Sequence, residues 1–244
     1  MPVLFLIDFL FLSKLEGKER NKMLIEFASA PAAAGLFLIY LKDKYEKEPW
    51  KMLFLGLFYG AYTAGAVYAC GSWLEMHFPH TETPFYTAFF SSALVEEGIK
   101  LLFLFFLIRG NPNFNEPLDG IVYGVFLSLG FAWVENVMYV THPVLGGYET
   151  AVARALLSVP AHGLFGVQMW YYLAQEKYGE GKKAWAASFL MPYFAHGLYN
   201  YFLLQKASVY WLPFACLEIW LWRSAAKKLR CLQEHSPFRK KDMG

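Results

Sequence analysis

An all-α bundle of about seven membrane-spanning helices is the fold this sequence predicts, and three observations carry it. Of the 244 residues, 57% are hydrophobic and 19% aromatic, and only 17% are charged, against roughly a quarter charged in an ordinary soluble domain. The apolar residues gather into runs long enough to cross a bilayer, about 20 residues at 1.5 Å each for roughly 30 Å of hydrocarbon. The short stretches between runs hold the charges, prolines and glycines that punctuate helices: KDKYEKEP, MHFPHTETP, RGNPNFNEP, HPVLGGYE and EKYGEGKK. Backbone in lipid has to satisfy its own hydrogen bonds, so the runs are expected to be helices.

In chain order the runs cover about 24–41, 51–75, 85–108, 119–141, 151–173, 184–204 and 209–222. The first two are mainly apolar segments joined by a lysine-rich loop. The third ends at Arg109 and carries EEGIK in its interior, and the fourth contains FAWVENVMY. Pro160 in the fifth removes an intrahelical donor, so that helix should bend close to His162. The sixth contains PYFAHGLYNYF, and the seventh runs into a basic C-terminal tail.

The basic residues orient the bundle. Lys42, Lys44, Lys47, Lys51, Arg109, Lys177, Lys182 and Lys183 lie in odd-numbered loops, and Arg223, Lys227, Lys228, Arg230, Arg239, Lys240 and Lys241 in the tail. Loops of the other parity hold Lys206, with Arg154 just inside a run. The odd loops and the C-terminus are therefore expected on the cytoplasmic side. Residues 1–22 fit less well, because Lys14, Lys18, Arg20 and Lys22 follow a short apolar run and would face outward. Either Met23 is the natural start or residues 1–12 form a surface-lying helix; charges that follow the apolar run argue against a cleaved signal peptide. The organisation expected is an N-terminal extension (1–22), a transmembrane domain (23–225) and a cytoplasmic basic tail (226–244) in a multi-pass plasma-membrane protein.

Composition also excludes some functions. A formal net charge of +2, without a basic patch interleaved with aromatics, does not suit nucleic acid. Cys70, Cys216 and Cys231 share no metal-binding spacing and imply no disulfide framework.

Function is sought where charge sits at membrane depth, since an ionisable group at the bilayer centre costs about 2.5–3.5 kcal/mol or more. The third run places Glu96, Glu97 and Lys100 near its middle, with Lys100 four residues from one glutamate and three from the other. The fourth adds Glu135 with Asn136, the fifth His162, the sixth His196 with Asn200 one turn on. Three carboxylates and two imidazoles thus come from four successive runs at overlapping depth in the outer half. A buried Glu–Lys pair can simply orient a bundle, and a lone membrane histidine can simply pack; five such groups at one depth suggest a shared purpose.

Two imidazoles and a carboxylate form the His₂Glu set of a catalytic zinc with an open position. On that reading Glu135, His162 and His196 hold the metal, and Glu96 or Glu97 takes a proton from bound water. Without metal, a buried glutamate and a histidine could activate water directly. Asn200 could donate to an oxyanion or make a helix–helix hydrogen bond. Lys100 is expected to keep the second glutamate ionised. Gly163, Gly166 and Gly197 permit close approach, by a helix or by an extended substrate.

Taken together, Glu96-Glu97-x-x-Lys100, Phe131-x-x-x-Glu135-Asn136, His162 with Gly166, His196-x-x-x-Asn200 and the loop YLKDKYEKEP resemble the PrsW family of intramembrane proteases. That family is similar to the type II CAAX prenyl endopeptidase (Abi) superfamily. The resemblance covers about residues 23–225. It implies a protease that cuts a single-span membrane protein near its extracytoplasmic side, an anti-sigma factor in the best-known members. It also implies that Glu96, Glu97 and His162 or His196 are essential, and it leaves metal-dependent and metal-free mechanisms open. A proton-coupled transporter would use the same residue types but would show related halves, and EEGIK has no second copy. A non-catalytic metal or haem protein could use the two histidines, leaving three glutamates without a role.

Overall fold

A computed structural model of the chain describes residues 17–78, 83–178, 184–205 and 207–239. They form an all-α bundle with no strand among the described residues. The helices are α1 (Gly17–Lys42), α2 (Trp50–His77), α3 (Val95–Ile108), α4 (Pro117–Val140), α5 (Tyr148–Leu156), α6 (Ser158–Tyr178), α7 (Ala184–Leu204) and α8 (Trp211–Glu234). A helical turn at Pro84–Tyr86 and a π-helical segment at Thr87–Leu94 lead without a break into α3. Four helical stretches are long and apolar enough to cross a membrane: α1, α2, α4 and Tyr148–Tyr178. The chain is therefore a multi-pass membrane protein.

Sequence boundaries shift in three places. Helix α1 begins at Gly17, ahead of the run expected from 24; the surface helix proposed for residues 1–12 lies outside the described residues. The fifth run is two helices, broken at Leu157 (φ −116°, ψ −67°). Pro160 is the cause, because it has no N–H to give to the carbonyl of Leu156 and its ring crowds that turn. Helix α8 continues through the stretch expected as a separate tail and stops at Glu234.

Helix α4 is the axis. Its apolar window is 72% buried, against 22% and 28% for α1 and α2, so the outer helices turn large side chains such as Phe37, Phe54, Phe58 and Phe106 outward. That is what a lipid-facing belt requires, since lipid tails accept apolar side chains at no cost. Packing on α4 is close because glycines remove side chains where backbones cross. A Cβ at Gly60 would collide with the carbonyl of Leu127, and one at Gly130 with the carbonyl of Leu57. α2 and α4 thus meet backbone to backbone, in the small-residue mode of membrane helices.

At one end of the bundle the loops are tied together. Gln233 Nε2 donates to the carbonyl of Lys42 at 2.5 Å, and Lys177 Nζ and Tyr178 Oη donate to that of Phe114 at 2.5 and 2.9 Å. Asp43, Glu48, Glu116 and Asp119 are buried at this same end. Asp43 Oδ2 accepts from the backbone N–H of Glu48, and Tyr123 Oη donates to Glu48. Burial raises Glu48 to about 9, helped by the charge of Asp119, and raises Asp43 to about 6 and Glu116 to about 7.

Two outcomes follow for the scaffold. Gly60→Ala is expected to cost about 1–3 kcal/mol or more by overpacking, seen as a lower melting temperature in detergent than Gly65→Ala, where a Cβ meets open space. The acid cluster sets a pH dependence with a definite sign. These carboxyls titrate higher folded than their ordinary 3.8 and 4.5, so their stabilisation is full below those values and is lost as pH rises through about 6, 7 and 9. The melting temperature should therefore fall between about pH 5 and 9, and Glu48→Gln should flatten the upper part of that fall.

Candidate active site

The site lies toward one end of the bundle, where the π-helical segment, α3, α4, α6 and α7 meet. A π turn is wider than an α turn and often marks a functional site; here it immediately precedes Glu96 and carries Ser92. From α3, Glu96, Glu97 and Lys100 point inward at 6%, 0% and 0% exposure. His162 comes from α6, two residues after Pro160, and His196 from α7, four after Pro192.

Lys100 occupies the centre. Its Nζ donates to Glu97 Oε1 at 2.9 Å and Glu96 Oε2 at 3.4 Å, sits 3.2 Å from His162 Nδ1, and lies 4.0 Å from the centre of the Phe131 ring. An ammonium with no water around it gives all three hydrogens to protein acceptors. The tautomers follow from the partners. His196 Nδ1, 2.8 Å from Glu97 Oε1, carries a proton, because an ionised carboxylate only accepts. Its Nε2 is then the lone-pair nitrogen and accepts from Asn200 Nδ2 at 3.0 Å. For His162 the assignment is reversed: Nδ1 accepts from Lys100, and Nε2–H donates to Glu135 Oε2 at 3.0 Å.

Four of the expected residues offer one donor atom each within 4.8 Å of the others: Glu96, Glu97, His162 and His196. The set expected to hold a metal was Glu135, His162 and His196, and here the structure differs. Glu135 stands one step out, held by Arg154 Nη2 at 2.7 Å as well as by His162. Two carboxylates and two imidazoles suit a divalent cation such as zinc, and Glu97 Oε2 is buried without a hydrogen-bond partner. These four residues therefore fit a metal.

Asn200, expected either to donate to an oxyanion or to make a helix–helix hydrogen bond, gives its amide hydrogens to His196 Nε2 and to Ser92 Oγ at 2.8 Å, the second of these a bond between helical segments. Ser92 in turn donates to Glu96 Oε1 at 2.8 Å. Sequence reasoning passed over Ser92 and Arg154. Ser92 lies one turn before Glu96 and could have been flagged by that spacing. Arg154, a charge just inside an apolar run, holds Glu135, reaches Asn136 Oδ1 at 2.9 Å and covers the Tyr139 ring at 4.1 Å. Gly166 and Gly197 serve helix packing, since a Cβ there would strike Ser128 and Phe89 respectively.

The cluster opens into a cavity of about 230 Å³ lined by Glu96, Glu135, Arg154, His162, His196 and Asn200 among others. Glu97 and Lys100 lie behind this wall. The room thus has two carboxylates, two imidazoles and a guanidinium on its surface, and a third carboxylate with its ammonium beneath.

Residues 48–221 match the family described as "PrsW family intramembrane metalloprotease". Among relatives, "Protease PrsW" of Geobacillus kaustophilus (strain HTA426) is 37% identical over 207 residues, 84% of this chain and 90% of that protein. "Protease PrsW" of Bacillus subtilis (strain 168) is 35% identical, covering 85% and 95%, and that of Clostridioides difficile (strain 630) is 31% identical, covering 86% and 91%. No solved structure matches the chain.

Removing the central cation should be far costlier than removing a surface one. Lys100→Met leaves two carboxylates facing each other without a charge partner, for an expected loss of about 3–5 kcal/mol. Lys22→Met breaks an exposed pair with Glu26 at 3.9 Å and should cost under about 1 kcal/mol. Thermal melts of both variants in one detergent check the contrast.

Proposed function

The chain belongs to the PrsW family of intramembrane metalloproteases, and from that premise we propose that it cuts a single-span membrane protein near the extracytoplasmic face of the plasma membrane. The chain would cross the bilayer seven times with its C-terminus in the cytoplasm, and its substrate class would be proteins of the anti-sigma-factor kind. The observation that supports this reading is the convergence of Glu96, Glu97, His162 and His196 within 4.8 Å of one another, with Glu96 and both histidines lining one cavity.

His162, His196 and Glu97 would hold a divalent metal, most simply zinc, with Glu135 fixing His162 through its Nε2–H. When bound, such an ion polarises a carbonyl oxygen and lowers the pKa of water. Glu96 is the base, because it is the α3 carboxylate that lines the cavity. It takes the proton of the attacking water and returns it to the departing amide nitrogen. Ser92 Oγ–H holds Glu96 Oε1 at 2.8 Å, so that proton goes to Oε2, on its lone pair not used by the longer 3.4 Å contact from Lys100 Nζ. Lys100 gives both α3 carboxylates a cationic partner in the buried core. Phe165, stacked on His196 at 4.8 Å, fixes that imidazole plane.

One observation favours a second reading of the same activity. Lys100 Nζ already supplies positive charge among the four donors. In that version Glu96 and the lone-pair nitrogen of His196 activate water without metal, as a buried carboxyl and imidazole can.

The test is proteolysis of single-span host proteins in liposomes, with metal content measured in parallel. Wild type should cut, while Glu96→Gln and His196→Ala should lose about 10²-fold or more. Cleavage that disappears with stoichiometric metal supports the zinc version; a metal-free active enzyme supports the second. Variants that cut as well as wild type would overturn the site.

A further inference from the structure

At the opposite end of the bundle from the cavity, α6 and α8 enclose a crevice of about 700 Å³ lined by Tyr171, Tyr172, Trp220, Arg223, Lys227 and Lys228 among others. Its chemistry is unrelated to that of the proteolytic site, and nothing in the proposed reaction uses it.

Lys228 is the anomaly. Its side chain is only 9% exposed, yet its ammonium reaches no carboxylate among the described residues. It donates to Gln168 Oε1, which Ser224 Oγ also approaches at 3.3 Å, and lies 4.3 Å and 4.8 Å from the centres of the Tyr172 and Tyr171 rings. A lysine is almost never this buried without an opposite charge. Burial alone pulls it down to about 8, so near neutral pH most of the population carries an unneutralised charge. Arg223 and Lys227, five residues and one residue before it on the same helix, are exposed at the mouth. The walls combine basic groups with Trp220 and two tyrosines, the residue types that settle at a membrane–water interface. The lower ends of α6 and α8 are also where basic residues place the cytoplasmic headgroup layer.

We propose that this crevice binds the phosphate group of an anionic phospholipid, which supplies the negative charge that Lys228 lacks. The phosphate sits against Lys228, Arg223 and Lys227, and the acyl chains follow the exposed apolar face of α8 at Ile219 and Trp220 into the bilayer. Lipid is favoured over a soluble phosphate because the crevice continues into that apolar face. Bound lipid would clamp α8 to α6 and stabilise the folded chain by mass action.

The experiment compares melting temperatures of the full-length protein in nanodiscs of phosphatidylcholine with and without phosphatidylglycerol. Phosphatidylglycerol should raise the wild-type value, with half-effect shifted about fivefold per basic residue removed. Lys228→Met should lose most of the rise. Should it fail to fold, Arg223→Gln with Lys227→Gln, both at exposed positions, should require about 25-fold more anionic lipid. Lys44→Gln, exposed and away from the crevice, should keep the wild-type response. No rise in wild type, or an equal rise in the crevice variants, overturns the proposal, as does a loss in Lys44→Gln matching theirs. A comparable Lys228-dependent rise from inorganic phosphate in phosphatidylcholine discs would make the crevice a free-anion site and overturn the lipid assignment.

Discussion

The ammonium of Lys100 holds two carboxylates and an imidazole together in a volume from which water is excluded, and the site depends on that arrangement. Two ionised carboxylates one residue apart would repel strongly in a low dielectric. Spacing of three and four residues along α3 lets one lysine reach both. The remaining direction of the ammonium is taken by His162 and the ring of Phe131. The pair of glutamates is thereby bound to α4 and α6, and through Glu97 and His196 to α7.

Such a cluster needs a rigid frame, because a buried charge network left partly unsatisfied is worse than an apolar core. Helix α4 provides the frame. It is buried along most of its length, meets α2 at Gly60 and Gly130, and presents Phe131 and Glu135 at the level of the cluster. The wide π-helical turn ahead of α3 and the break at Leu157 ahead of α6 are the two places where regular helix gives way, and both adjoin the cavity. Irregular backbone at membrane depth is tolerated where it borders protein or a water-filled space, as here.

The molecule is chemically divided along its axis. Ion-paired groups with histidines form the chamber at one end, while the other end combines raised carboxyls around Glu48 with the cationic crevice at Lys228. Two kinds of burial are involved. In the histidine cluster each charge faces an opposite one; at the other end Glu48 shares space with Asp119, and Lys228 meets no counter-charge among the described residues.

The helices, their order and the placing of Glu96, Glu97, Lys100, Glu135, His162 and His196 within apolar helical runs were legible in the amino-acid sequence. Each rests on a property of position along the chain: a bilayer demands about 20 apolar residues per crossing and penalises every charge within them. Family membership was legible for the same reason, since its motifs are short and local. What tertiary structure decided is which groups touch. Glu135 pairs with Arg154 and supports His162 from outside the donor set, Asn200 turns to Ser92, and Lys100 fills the centre. Rotation of each helix about its own axis settles such contacts, and that rotation is set by packing against neighbours, by a π turn and by a proline-induced break. Hydropathy along one chain records depth in the membrane but not direction around a helix, so the sequence determined the level of the chemistry and the packed bundle determined its partners.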